Sequence, residues 1–164
     1  QFKDHHTAYG PVVAGPNGLS FMALRINTGN SAPVYLDKPG YKEQLKPSKR
    51  RNLFSKPIAF CTPSVRQFRK EPLWESLWDP ATIDDEMNAQ VLRLGAGQTV
   101  AGPSPKRSGG YYVFVASGSM VHEGENMPDW SMIVVENSED EFEITAGKKG
   151  LEALVLEYPR ETQD

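Results

Sequence analysis

The sequence predicts an all-β fold. From about residue 85 to residue 160, short apolar runs alternate with turns rich in Gly, Pro and Asn, the pattern of a sandwich or barrel. No helical periodicity of useful length occurs in this part of the chain. The runs, with their flanking residues, are MNAQVLRL, GGYYVFVASGSM, PDWSMIVVE, EFEIT and LEALVLEYP.

A short sequence pattern that occurs twice gives a second indication of the architecture. The stretch VVAGPNGLSFMALRI at 12–26 and the stretch ITAGKKGLEALVLEYP at 144–159 carry Ala, Gly, Gly, Leu and Leu at the same spacing. Each is typical of two short strands around a Gly-rich turn. Either a structural unit occurs twice, or the two hairpin patterns arose by convergence.

The middle of the chain, residues 28–84, has a different character. Pro and Gly recur in this segment, which indicates turns and irregular chain. They occur in the stretches TGNSAP, DKPG, LKPSK and KEP. Within PLWESLWDP, the apolar side chains Leu73, Trp74, Leu77 and Trp78 have the spacing of one face of a single helical turn, which Pro80 ends. We expect this turn to cover an edge of the β domain.

Composition excludes several classes of protein. Lys and Arg number 18 against 21 Asp and Glu, so nothing indicates binding to nucleic acid or to an anionic membrane. No apolar run approaches the roughly 18 residues of a membrane span. The lone Cys61 excludes an intrachain disulfide and fits the reducing cytoplasm. The chain begins without Met, and we expect it to be a fragment or a processed product.

The order of strands and glycines resembles a cupin domain of the RmlC-like kind. The resemblance covers residues 86–160 and depends on LRLGAGQTV, GGYYVFVASGSMVHEG and PDWSMIVVENSEDEFEITAGKKGLEALVLEYPR. It implies a double-stranded β-helix, or jelly-roll barrel. Two-cupin chains occur in this family, so residues 1–27 are expected to be the closing hairpin of a partial first repeat. Residues 28–84 would then be a linker with a short helical turn, and residues 85–160 a complete second barrel.

The metal motif that this resemblance implies is not matched. Metal cupins place His, His and Glu on adjacent strands and one further His on a later strand, ligands that suit divalent transition metals. The corresponding positions fall within residues 104–107, which read SPKR, near Tyr111 and near Glu141. We therefore expect no metal and no cofactor.

Strand alternation suggests a lining for the barrel interior. If Tyr111 points inward, Val113 and Val115 do so too, and we expect Trp130 and Met132 to face them from the neighbouring strand. Arg107 or Arg93 would lie at the mouth. Such a cavity suits a small ligand with an apolar body and one polar or anionic group. The alternative is that these side chains simply fill the core.

Two classes of function remain open. The first is a cupin-like protein without the metal motif that binds a small molecule or serves as a structural or sensory module. The second is an enzyme: a metal-independent isomerase or epimerase with His122 as base and Tyr111 or Tyr112 as acid, or a metal-dependent oxygenase whose site lies in the missing first repeat. Exposed edge strands also predict a homodimer.

Overall fold

A computed structural model describes residues 1–25 and 34–160. The chain divides into two compact units, Gln1–Phe54 and the part that begins at Ser55. The division therefore falls within the segment that the sequence analysis assigns to a linker.

The first unit contains a small two-stranded sheet. Its strands, β1 at Phe2–Lys3 and β2 at Asn52–Leu53, are antiparallel, and a 3-10 helix covers Lys42–Gln44. Beside the sheet, the Asp4 carboxylate accepts hydrogen bonds from the Arg51 backbone at 2.7 Å and from its guanidinium at 2.9 and 3.0 Å. Burial alone would raise the pKa of Asp4, but the hydrogen bonds and charge of Arg51 outweigh it, so this pKa is lowered.

The predicted N-terminal hairpin forms only at its turn. Gly15 and Gly18 make an isolated antiparallel bridge, and no strand occurs in residues 12–25 of the described chain. Val13 is 78% exposed, so the flanking residues lack the apolar cover that a two-stranded hairpin needs. Residues 26 and 27 lie outside the described residues. The derivation of this segment from a first cupin repeat stays a prediction.

The second unit is built on one antiparallel sheet, which confirms the all-β prediction. The strands are β3 Leu73–Ser76, β4 Asn88–Leu94, β5 Thr99–Ala101, β6 Tyr111–His122, β7 Glu125–Pro128, β8 Met132–Val135 and β9 Glu143–Glu157. Their order in the sheet is β3-β4-β9-β6-β7, with β8 paired to β6 and β5 paired to β9. One short helix, α1 at Pro63–Gln67, and 3-10 helices at Pro80–Thr82 and Pro105–Arg107 accompany the sheet.

The core lies on one face of this sheet. Side chains from β4, β9 and β6 alternate between the two faces, and the register aligns Leu92, Ala153 and Val115 in one fully buried row. The next rows add further apolar side chains on the same face. The buried apolar cluster consists of Leu92, Leu94, Tyr111, Val113, Val115, Met120, Val135, Ile144, Ala146, Leu151, Ala153 and Val155.

The helical turn predicted within PLWESLWDP is wrong. Residues Leu73–Ser76 form strand β3, which pairs with β4 from Leu73 opposite Arg93 to Ser76 opposite Gln90. The backbone hydrogen bonds available at the edge of β4 thus override a local helical pattern of four apolar residues. The short helix of this region is α1, ten residues before the predicted position.

Strands β6 and β9 are longer than the sequence predicts. The predicted strand end at Ser117-Gly118-Ser119 lies inside β6, and the predicted turn AGKKG lies inside β9. Pairing skips from Gly118 opposite Leu151 to Met120 opposite Ala146, so these glycine-rich segments form an irregularity in the ladder. Gly118 and Gly150 adopt φ of +94° and +70°, which explains why glycine occupies both positions.

Candidate functional site

The three residues of β6 predicted to point inward do share the core face. Tyr111, Val113 and Val115 are each 0% exposed. They pack within the apolar cluster, and none of them lines the surface depression beside Ala96 and Lys148 or the depression beside Arg93. Their role as ligand contacts stays a prediction.

The orientation predicted for β8 is wrong. Met132 pairs with Phe114, whose side chain points to the opposite face from Val113 and Val115. Trp130 is 59% exposed, and its ring packs edge-on against Phe114 with centroids 5.8 Å apart. Trp130 has φ of +70°, a turn conformation that breaks the alternation on which the prediction depended. The side chains of β8 that do reach the core are Ile133 and Val135.

Tyr111 places a polar group in the apolar core. Within the described residues its hydroxyl makes no hydrogen bond of ordinary geometry. Burial first, and then the negative charges of Glu157 and Glu139, raise its pKa to about 12. The phenol is thus held neutral, and a hydrogen bond with the Phe142 backbone opposes the rise in pKa without cancelling it.

We expect this tyrosine to make stability depend on pH above 10. Its pKa is about 12 when folded against an ordinary 10.0, so its stabilising contribution is complete below pH 10 and is lost as the pH rises towards 12. Chemical denaturation should show a fall of about 2 kcal/mol over this range that is absent from Tyr111→Phe. At neutral pH the variant should be as stable as wild type or more so, because it removes an unsatisfied hydroxyl. Parallel pH profiles for the two proteins would contradict this.

Arg107, predicted at the mouth of the interior, contacts a carboxylate that the sequence analysis missed. Its Nη2 donates to Glu157 Oε1 at 2.8 Å, and Asn88 Nδ2 donates to Glu157 Oε2 at 3.0 Å. The hydrogen bond to Glu157 is the first cause that raises the pKa of Arg107. Glu157 is buried and lies opposite Tyr111 in the β6–β9 ladder. In this cluster the buried negative charge of Glu157 is balanced by Arg107, at one end of the core face.

The positions matched to the metal motif do not fit a divalent metal. Pro105–Arg107 form a 3-10 helix with two basic side chains, and Tyr111 is neutral and buried. Across residues 1–25 and 34–160, no group of three His, Cys, Asp or Glu side chains is arranged to hold a metal ion. His122 lies at the end of β6, with its ring 5.4 Å from that of Phe142. No catalytic step is therefore derived through a metal.

A groove of about 510 Å³ lies on the other face of the sheet. One set of lining residues comes from an extended segment before α1, and a second set from the end of β3 and the residues after it. Val91 and Arg93 of β4 complete the lining. The size is that of a small-molecule pocket. The full lining is Lys56, Pro57, Ile58, Ala59, Glu75, Ser76, Leu77, Trp78, Asp79, Val91 and Arg93.

Arg93 connects the parts of this groove. Its Nε donates to Glu152 Oε1 at 3.0 Å, its Nη2 donates to the Ala59 carbonyl oxygen at 3.1 Å, and its Nη1 donates to Glu75 Oε2. Burial would lower the pKa of Arg93, but the two carboxylates raise it above its ordinary value. The guanidinium is therefore fixed in place and permanently charged.

Glu152 lies beneath Arg93 and is 0% exposed. Both its oxygens accept from the Cys61 backbone N–H at 3.1 Å, and Arg66 Nη1 lies 3.7 Å from Oε2. Arg66 also donates to Ser117 Oγ at 2.7 Å and to the Lys149 carbonyl oxygen at 3.1 Å. These bonds hold residues 55–69, which we call the strap, against the sheet.

Solved structures with a similar fold include three different proteins. An RmlC-like cupin protein from Desulfovibrio desulfuricans is 16% identical over 67% of this chain and 100% of that chain, with a TM-score of 0.48. A conserved protein of unknown function from Streptococcus pyogenes is 15% identical over 70% and 100%, with a TM-score of 0.44. A complex of Rhodobacter sphaeroides SigE with the anti-sigma ChrR matches at 15% identity over 52% and 44%, with a TM-score of 0.41.

These likenesses concern the fold alone, and the match spans less than half of the Rhodobacter sphaeroides chain. No protein-family model and no curated protein matches this sequence. Among the residues that the structure describes, none of the helices has the length and apolar character that crossing a membrane requires.

Proposed function

We propose that this chain is a cupin-like module without the metal motif, and that it binds a small molecule in the groove beside Arg93. The ligand class is an apolar, aromatic-sized body with one anionic group. The single observation that carries the proposal is the groove itself, whose volume of about 510 Å³ suits a small ligand. Ligand binding rather than catalysis is proposed, because the groove has fixed charges but no nucleophile paired with a base.

The lining supports this ligand class. Leu77, Trp78, Ile58 and Val91 offer apolar surface for the body of the ligand. The charge of Arg93 is already balanced by Glu75 and Glu152. Lys56 is exposed and joins none of the ion pairs found among the described side chains, so its ammonium group is available to an anionic ligand.

The test is a titration of the 164-residue chain with phenylacetate and with its uncharged amide, followed by NMR. Phenylacetate should shift the Trp78 indole and the backbone amides of Lys56, Ile58 and Ala59, with a dissociation constant on the order of 1 mM for so small a probe. Lys56→Glu should weaken phenylacetate binding about tenfold and leave the amide unaffected.

Lys70→Glu is the matched control, since Lys70 is also exposed but does not line the groove. If the two substitutions weakened phenylacetate binding equally, only the overall charge of the protein would determine the affinity. Absence of shifts at the groove with both probes, or shifts centred on Tyr111 and Arg107, would contradict the proposed site.

The alternative, a metal-independent isomerase or epimerase, has one observation in its favour. Both candidate groups are near Phe142: the His122 ring lies 5.4 Å from the Phe142 ring, and the Tyr111 hydroxyl and the Phe142 carbonyl oxygen both lie beside Gly102. A metal-dependent oxygenase would require ligands beyond residues 1–25 and 34–160 of this chain. Plasma mass spectrometry that finds one equivalent of a single metal in untagged protein would favour that enzyme over the binding module.

We further infer that the module associates as a homodimer through the edge strand β3. Among the described residues β3 pairs with β4 alone, and Leu73 is 41% exposed at its start. Open strand edges pair readily with a second chain. Sedimentation that finds only monomer at high protein concentration would argue against this association.

A further inference from the structure

The opposite edge of the sheet is formed by β7 and β8, which lie end to end along β6. Glu125–Pro128 pairs with the last residues of β6, and Met132–Val135 pairs with its first residues. In the described chain neither strand has a partner on its outer side. A strand edge of this kind offers unpaired backbone N–H and C=O groups to another polypeptide.

This edge combines apolar side chains with charge of one sign. Trp130 and Val134 are 59% and 48% exposed, and Met132 and Phe114 lie on the same face. Residues 125–136 read ENMPDWSMIVVE, which includes three carboxylates and neither Lys nor Arg. The paired strand β6, YYVFVASGSMVH, also lacks Lys and Arg. The carboxylates of Glu125, Asp129 and Glu136 are all exposed.

The backbone holds Trp130 in a costly conformation. A φ of +70° is unfavourable for a bulky residue, and such outliers concentrate at functional positions. The turn is fixed to β6: Trp130 N–H donates to the Val115 carbonyl at 2.8 Å, and Val115 N–H donates to the Ser131 carbonyl at 2.9 Å. The exposed ring is thus presented by a rigid turn, and rigid exposed tryptophan is typical of interface hot spots.

We propose that the β7–β8 edge binds an extended strand of a partner protein that carries apolar residues at alternate positions and basic residues at its ends. The apolar side chains would lie over Trp130 and Val134, and the basic ends would face Asp129 and Glu136. A second copy of this chain is the less suitable occupant. Antiparallel pairing of β8 with itself would bring together two edges that each carry only negative charge.

The experiment uses the ¹⁵N-labelled 164-residue chain and two capped peptides. Both peptides alternate Val and Thr; one ends in lysines and the other in glutamates. The lysine peptide should shift the amides of Met132–Val135 and the Trp130 indole, and it should bind about tenfold more tightly than the glutamate peptide in low salt. High salt should reduce this difference.

Variants separate charge, contact and folding. Asp129→Lys with Glu136→Lys should reverse the preference between the peptides, whereas Glu71→Lys with Glu86→Lys, two exposed carboxylates of the same unit outside β6, β7 and β8, should preserve it. Trp130→Gly removes the ring but suits the positive φ, so it should weaken binding without lowering thermal stability.

Equal affinity for both peptides, shifts that map elsewhere, or no shifts at millimolar peptide would overturn the proposal. Self-association of the wild type that Trp130→Ser abolishes would also overturn it, because a second copy would then occupy the edge.

Discussion

Replacing Arg93 by Met should lower the free energy of unfolding by about 3–5 kcal/mol. The substitution keeps most of the side-chain volume but leaves the fully buried Glu152 without its closest cation, at 3.0 Å. Arg66, whose Nη1 is 3.7 Å from Glu152, compensates only part of that charge. Urea denaturation followed by tryptophan fluorescence and circular dichroism measures the effect.

The double variant Arg93→Met with Glu152→Gln tests whether the loss of stability comes from the unpaired charge of Glu152. It should recover part of the lost stability, because no uncompensated carboxylate then remains in the interior. Arg160→Met, at an exposed arginine, is the control and should change stability by less than about 0.5 kcal/mol. A similarly small effect of Arg93→Met would show that water enters the site and that Glu152 is not desolvated.

Gly118→Ala should be nearly as damaging, with an expected loss of about 3 kcal/mol or more. Gly118 has φ of +94°, and a Cβ at this position would lie 2.2 Å from the Gly150 carbonyl oxygen and 2.8 Å from Arg66 Nε. The new methyl group must therefore separate β6 from β9, displace Arg66 from its bonds to Ser117 and Lys149 on the sheet, or both. Thermal unfolding and the exchange rates of the amides around Lys149 would detect this opening.

Gly97→Ala provides the matched control. Gly97 also has a positive φ, +72°, but nothing lies within 4 Å of where its Cβ would be. It should cost only the conformational penalty, about 1 kcal/mol. Equal losses for the two variants would indicate that backbone conformation alone, and not the close approach of β6 and β9, requires glycine at Gly118.

The sequence was sufficient to predict those features that depend on the alternation of side chains along a single strand. The apolar runs that became β4, β6 and β9 were recognisable, and Tyr111, Val113 and Val115 do share the core face. The prediction failed at Trp130 and Met132 because one left-handed residue in the turn changes the face that β8 presents. It failed at β3 because an edge of β4, distant in the chain, supplied hydrogen bonds that no local pattern reveals.

The candidate site was less predictable for the same reason. Arg93 was a candidate for the mouth of the interior, but its side chain lies on the opposite face and lines a groove with the strap. Glu152 gave no signal, since a Glu within LEALVLE is typical of the solvent side of a strand. It becomes buried only because Arg66, Cys61 and Arg93 converge on it from distant positions. Glu157 was missed in the same way, through its bond to Arg107.

The strap has a consequence for how the nascent chain matures. The Cys61 amide and its acceptor Glu152 are 91 residues apart, and Arg66 lies 83 residues before the Lys149 carbonyl to which it donates. The segment therefore leaves the ribosome long before its acceptors on β9 are synthesised. Until then the strap can contact β4 through Ala59 and Arg93 and β6 through Arg66 and Ser117, but its bonds to Glu152 and Lys149 cannot form because β9 has not yet joined the sheet. Docking of the strap is thus a late event that reports completion of β9.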